Sequence, residues 1–155
     1  MKRIRTLLIL LLLLLMPAEE VNAEEKVEIP EEVIELSEEL GERYCICPEL
    51  IQAIAWRESR FNPEAVNGNC IGIMQVSERW HRDRMERLGV TDLTDMEQNM
   101  LVAVDYLSEL AIECGDLDVA LMTYNGDSRA GTGIVSEYAE TIMMLSAELE
   151  QLHGK

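Results

Sequence analysis

Apolar residues along this chain recur at intervals of three and four, and no segment sustains an alternation of apolar and polar residues, so the chain is constrained to a mainly α-helical fold. The pattern is sharpest from Pro48 to Glu58. Pro48 suits the first helical position and Glu49 the positive end of the helix dipole. Ile51, Ile54 and Ala55 then share one face, and the next position on that face is Glu58. A carboxylate there has two readings. It closes the helix at the surface and pairs with Arg57 or Arg60, the commoner fate of a glutamate. Alternatively it is buried, and an apolar wall raises its pKa toward the range where a carboxyl group donates a proton near neutral pH.

The same spacing predicts the other helices. One begins at Pro30-Glu31-Glu32, turns Val33, Ile34, Leu36 and Leu40 inward, and ends near Gly41. Ser77 to Leu88 reads as a charged helix whose few apolar contacts are Trp80, Met85 and Leu88. Asp95 caps a longer helix carrying Met96, Met100, Val104, Leu107 and Ala111, which Gly115 stops. Asp116 to Tyr124 is a short helix, Asn125 to Gly133 a glycine-rich loop, and Ile134 to about Leu152 a final amphipathic helix. Asn62-Pro63 and Asn67-Gly68-Asn69 are turn signals, and Gly72 permits close approach of backbone to a ligand. A small irregular β element fits near Ile71 to Val76.

Lys2, Arg3 and Arg5, the apolar run Leu7 to Met16 and the acidic pair Glu19-Glu20 form a signal-peptide layout, with Val21-Asn22-Ala23 before a cut after Ala23. The apolar core is about ten residues against the ~20 of a membrane-spanning helix. Export is therefore expected, with residues 24–29 as a short acidic leader, residues 30–152 as one domain, and no stable membrane insertion after cleavage. Removing residues 1–23 takes three bases and two acids, so the formal charge moves from −17 to −18. Such an acidic domain is a poor partner for nucleic acid or an anionic membrane surface. Cys45, Cys47, Cys70 and Cys114 allow three complete pairings; a Cys70–Cys114 bond would tie the loop after Glu58 to a helix end, and four buried free thiols are the alternative. No metal is expected, because Cys-x-Cys lacks structural-zinc spacing and His81 and His153 lie far apart in sequence. No cofactor is expected either.

The run Glu58-Ser59-Arg60-Phe61-Asn62-Pro63-Glu64-Ala65-Val66-Asn67, then Gly72-Ile73-Met74-Gln75-Val76, then Tyr124-Asn125, resembles the lytic transglycosylases of the soluble type, in the lysozyme-like superfamily. The resemblance extends from about Pro30 to about Leu149. It implies helices arranged around a substrate cleft, and cleavage of peptidoglycan between N-acetylmuramic acid and N-acetylglucosamine without water, giving a 1,6-anhydro product. It also implies Glu58 as acid and then base, with Ser59, Met74, Gln75, Tyr124, Asn125 and Tyr138 at the substrate. Each of these has a plainer reading: core packing for Met74 and Tyr138, a water-facing loop residue for Gln75, a left-handed helix end for Asn125. Asn99 with Tyr106-Leu107 fits a further motif of the family, structural in character.

Ordinary glycosidases use a second carboxylate. Glu64, Glu78, Asp83 and Asp127 are available, and none sits on an apolar helix position as Glu58 does. The chain departs from the family pattern at Thr123, where alanine is common before Tyr-Asn, near Ala103, where a glycine is common, and at Gly126, which follows Asn125 directly. Two rivals remain. One is a goose-type lysozyme-like hydrolase, with water held by Asp127 or Asp83. The other is a non-catalytic wall-binding or assembly protein that keeps the fold. Under any of these readings a monomer is expected.

Overall fold

The computed structural model describes residues 27–154. The expected signal peptide and the first half of the acidic leader, residues 24–26, lie outside them. Six helices and one small sheet follow in order: α1 Glu31–Tyr44, α2 Pro48–Ser59, β1 Val66–Asn67, β2 Cys70–Ile71, β3 Val76–Ser77, α3 Glu78–Leu88, α4 Met96–Cys114, α5 Leu117–Tyr124 and α6 Glu137–Leu152. The fold is mainly α, as expected. The β element is an antiparallel three-stranded sheet ordered β1-β2-β3, with Val66 opposite Ile71 and Ile71 opposite Val76. Among the described residues no helix is long and apolar enough to cross a membrane.

α2 is the central element. Every residue from Glu49 to Ala55 is buried, because α1 and α6 pack along it and the remaining helices close the core around them. Pro48 occupies the first turn, as its fixed φ and missing N–H favour. Glu49, expected merely to face the dipole, is fully buried, with Cys47 Sγ 3.1 Å and His153 Nδ1 2.8 Å from its carboxylate oxygens. These contacts clamp the end of α6 to the start of α2.

Local signals placed most boundaries, with three corrections. α1 runs past Gly41 to Tyr44; a Cβ at residue 41 would lie 2.7 Å from the Ile46 carbonyl oxygen, so this glycine admits the returning chain and does not stop the helix. α6 starts at Glu137, capped by the Ser136 hydroxyl on Ala139 N–H at 3.3 Å, which leaves Ile134 and Val135 outside it and exposed. Trp80 is no core contact, being 75% exposed. Asp95 and Asp116 cap α4 and α5 through Gln98 N–H and Asp118 N–H, both at 2.9 Å, and Gly115 closes α4 at φ 64°. α3 is held to α4 by Arg84, which pairs with Asp105 and, at 3.0 Å, with Glu109.

The four cysteines are free thiols. The possible Cys70–Cys114 bond is therefore not formed, and the thiols are not fully buried either: Cys45 is exposed and the other three are partly exposed. Cys70 lies on β2 within reach of the Glu58 charge, and Cys114 in the last turn of α4.

Candidate active site

Glu58 sits in the last turn of α2, one position before its end. The buried body of that helix carries it to the surface of the core, where it is half-buried. Burial raises the pKa of its carboxyl group; the Tyr138 hydroxyl and the Arg57 guanidinium oppose the rise without cancelling it. The Tyr138 hydroxyl donates to Glu58 Oε1, whereas Oε2 bonds to no described residue. The surface-pair reading fails among the described residues: Arg57 lies over the Tyr138 ring at 5.7 Å, Arg60 over the Trp56 ring at 3.5 Å, and neither forms a salt bridge with Glu58.

Around Glu58 the backbone is under strain. Arg60 and Phe61 take φ of 57° and 63°, and Gln75 takes 51°, left-handed values that side chains with a Cβ adopt at a cost of about 1 kcal/mol or more each. The cost is offset by a dense set of hydrogen bonds. The Ser59 hydroxyl lies 2.7 Å from Ile73 O and 3.3 Å from Ala55 O, and accepts from Asn62 N–H at 3.0 Å. Gln75 turns its amide nitrogen back onto Gly72 O at 2.9 Å and Ala65 O at 3.2 Å; both partners are carbonyls, so its carbonyl oxygen faces away from them.

The anchor of this loop is Asn99, on the first turn of α4 and fully buried. Its amide nitrogen donates to Ile71 O and Leu93 O, both at 2.8 Å, and its oxygen accepts from Met74 N–H at 3.0 Å. Gly72 was expected to make room for a ligand. Instead it makes room for Asn99, since a Cβ at residue 72, where φ is 82°, would collide with the Asn99 amide and the Leu93 carbonyl.

Met74 is fully buried by its side chain, and what it contributes to the site is its carbonyl, which accepts from the Tyr124 hydroxyl at 2.9 Å. Tyr124 ends α5, part-buried and near enough to Glu58 for the carboxylate charge, after burial, to raise the phenol pKa further. Asn125 is exposed and right-handed at φ −75°, so the left-handed turn after α5 falls to Gly126 at φ 71°. The structure thus brings Glu58, Tyr138, Tyr124, the Met74 carbonyl, Ser59 and Gln75 together through side chains or backbone. It leaves the Met74 side chain in the core. Sequence reasoning treated Asn99 and Tyr106 as structural by resemblance and weighed His81 only as a metal ligand; the rings of Tyr106 and His81 continue from Tyr124, and no periodicity marks the row, because its members come from three different elements.

Asp127, one of the two carboxylates considered with Asp83 for holding a water, is bound by Arg129 through Nε at 3.0 Å and a terminal nitrogen at 2.7 Å, with Arg129 N–H at 2.9 Å. These bonds hold its pKa down to about 2. It is a weak base with its oxygens already engaged. Among the described residues no group of three or more His, Cys, Asp or Glu side chains is arranged to hold a metal.

Over 98 residues the chain is 33% identical to the membrane-bound lytic murein transglycosylase F of Desulfosudis oleivorans (strain DSM 6200 / JCM 39069 / Hxd3), a match covering 58% of this chain and 21% of that protein. Its fold superposes on the X-ray structure of an inactive mutant of the lytic transglycosylase Slt from Pseudomonas aeruginosa with a TM-score of 0.66 at 16% identity, over 77% of this chain and 24% of the other. The chain thus spans about a fifth to a quarter of the length of these relatives. Residues 35–144, which hold Glu58, the strained loop, Asn99, Tyr124 and Tyr138, match the transglycosylase SLT domain, and the chain belongs to that family, with the mainly helical, lysozyme-like fold of the Slt enzyme.

Proposed function

We propose that this chain is a peptidoglycan lytic transglycosylase that breaks the β-1,4 bond between N-acetylmuramic acid and N-acetylglucosamine, with Glu58 as both acid and base. The observation that carries the reading is the Glu58 carboxyl group: raised in pKa by burial, fixed at Oε1 by Tyr138, and open at Oε2. Protonated Oε2 gives its proton to the glycosidic oxygen as the C1–O bond breaks and positive charge grows on the muramic sugar. The carboxylate left behind then takes the proton of that sugar's 6-hydroxyl as its oxygen bonds to C1. The product is a 1,6-anhydro ring, the acid is regenerated, and no water is consumed.

This route asks for one titrating carboxyl group. Asp127, ionised and occupied by Arg129, is poorly suited to activating a water, which disfavours a hydrolytic route through Asp127. Gln75 contributes the carbonyl oxygen that its own loop bonds leave open, suited to the N–H of an N-acetyl group. Tyr124 offers its ring to the sugar, its hydroxyl being committed to Met74 O. Ser59 acts by holding the loop, and Asn125 borders the site from the exposed end of α5. The substrate is the glycan strand of the wall, reached by export through the N-terminal segment. The formal charge of the chain, −17, implies that affinity comes from short-range contacts and not from long-range attraction to anionic wall polymers.

The test is mass spectrometry of fragments released from purified peptidoglycan by the protein and by Glu58→Gln. Fragments ending in 1,6-anhydro-N-acetylmuramic acid, released by the parent alone, are expected. Reducing ends would assign hydrolysis instead, and cleavage by Glu58→Gln at the parent rate would remove Glu58 from the mechanism.

A further inference from the structure

The aromatic surface beside Glu58 does not end at Tyr124. The Tyr124 ring lies 5.8 Å, centroid to centroid, from that of Tyr106, and Tyr106 lies 4.6 Å from the imidazole of His81. The row thereby joins α5, α4 and α3. All three rings are only partly buried, in contrast to the fully buried Met74, Met100 and Leu107 of the core. Their polar edges also differ. The Tyr124 hydroxyl is committed to Met74 O, whereas the Tyr106 hydroxyl and both nitrogens of His81 hydrogen-bond to no described residue.

The backbone supplies a second, independent observation. α3 is broken at His81, whose φ of −117° and ψ of 16° are non-helical, although neither proline nor glycine lies in the helix. Helix kinks have local causes, and here the local contact is the imidazole against Tyr106. Irregular conformations held by their surroundings gather at functional sites. Burial and the neighbouring Arg84 hold the imidazole pKa down against the pull of Glu109, which favours the neutral ring, able both to donate and to accept. Trp80, the preceding residue, leaves its indole 75% exposed on the same helix.

A ring face with open polar edges is suited to a pyranose, which is apolar on its faces and hydroxylated around its rim. We propose that His81 and Tyr106 form an outlying sugar subsite, which grips the glycan strand at a ring beyond the bond that Glu58 breaks, through stacking and through hydrogen bonds at the Tyr106 hydroxyl and the His81 nitrogens. The identity of the strand rests on the lytic transglycosylase reading; the subsite itself requires only an N-acetylated β-1,4 glycan.

The experiment measures binding without cleavage. In the Glu58→Gln chain, calorimetry with tetra-N-acetylchitotetraose and with di-N-acetylchitobiose gives the affinity gained by the longer probe. His81→Ala, checked for a parent-like helical spectrum, is expected to cut that gain about tenfold and to leave the shorter probe unchanged; His81→Phe recovers the stacking part alone. Tyr106→Phe, which removes only a hydroxyl and preserves the packing, is expected to lose a smaller part of the gain. In the Glu58-containing chain the same substitutions raise KM for peptidoglycan and spare kcat. Equal binding of the longer probe with and without the His81 and Tyr106 substitutions overturns the proposal, as does failure of Glu58→Gln to bind it at all. A chain that binds through His81 and releases no anhydro product would refute the transglycosylase reading and leave the subsite standing.

Discussion

Asn99→Ala tests the architecture on which the site depends. Asn99 is fully buried and makes three hydrogen bonds, two to carbonyls and one from Met74 N–H, each between 2.8 and 3.0 Å. At about 1 kcal/mol net for each bond, with the Met74 N–H left unpaired in the core at the upper end of that range, the loss comes to roughly 3–4 kcal/mol. A water admitted to the vacated space would return part of it. Against a total stability of about 5–15 kcal/mol for a domain, this is a large fraction. Urea unfolding followed by far-ultraviolet circular dichroism reads it as a lower midpoint at unchanged slope. Activity should fall too, since the Met74 carbonyl that positions Tyr124 loses its support. Asn99→Asp sharpens the test. It keeps the acceptor for Met74 N–H and, when ionised, turns a carboxylate onto the Ile71 and Leu93 carbonyls. Its folded pKa is then raised, so the variant is most stable below the ordinary aspartate value of about 3.9 and loses stability as pH rises above it. A cost under about 1 kcal/mol for Asn99→Ala would refute the assignment of Asn99 as anchor.

Two further outcomes follow from the same geometry. Tyr138→Phe removes the hydroxyl that lowers the Glu58 pKa, so the proton-donating form persists to higher pH, and the basic limb of the pH–rate profile moves upward; an unmoved or lowered limb would contradict the assignment. Asp127→Asn removes a carboxylate already ionised and paired with Arg129, so anhydro-product release should stay within about threefold of the parent, whereas loss of activity by the ~10²–10⁴ of a general base would restore the hydrolytic mechanism.

How much of this was legible in the sequence depended on the distance between cause and effect. Helix starts at Pro48, Asp95 and Asp116 and the stop at Gly115 could be read because each signal acts on its own neighbours. Gly41 and Gly72 were misjudged for the opposite reason. Both make room for something remote, the returning Ile46–Pro48 segment in one case and an asparagine on α4 in the other. The stripe through Ile51, Ile54 and Ala55 pointed to Glu58 and to the burial that raises its pKa, but the opposing pull comes from Tyr138, eighty residues away in sequence, and from Arg57, which lies over the Tyr138 ring and makes no salt bridge with Glu58. The row from Tyr124 through Tyr106 to His81 crosses three helices, and only packing reveals it.

The position of Glu58 sets stability against chemistry. Burial disfavours its ionised form in the folded protein more than in the unfolded chain, and Tyr138 and Arg57 correct this only in part, so the folded pKa stands above the unfolded one. A raised acid contributes stability that is fully present below its unfolded pKa, about 4.3 for glutamate, and lost as pH climbs through the folded value. Wherever the pH exceeds the folded value, the parent therefore carries a carboxylate that the fold would prefer protonated. Glu58→Gln replaces it with a neutral group of the same shape whose oxygen can still accept from Tyr138. The variant should be inactive and yet unfold at higher urea concentration than the parent at pH 7, with the advantage shrinking toward pH 4. An inactive variant that was less stable than the parent at both pH values would mean that the Tyr138 hydrogen bond and the Arg57 charge outweigh burial, and that Glu58 is a settled structural carboxylate instead of a strained acid.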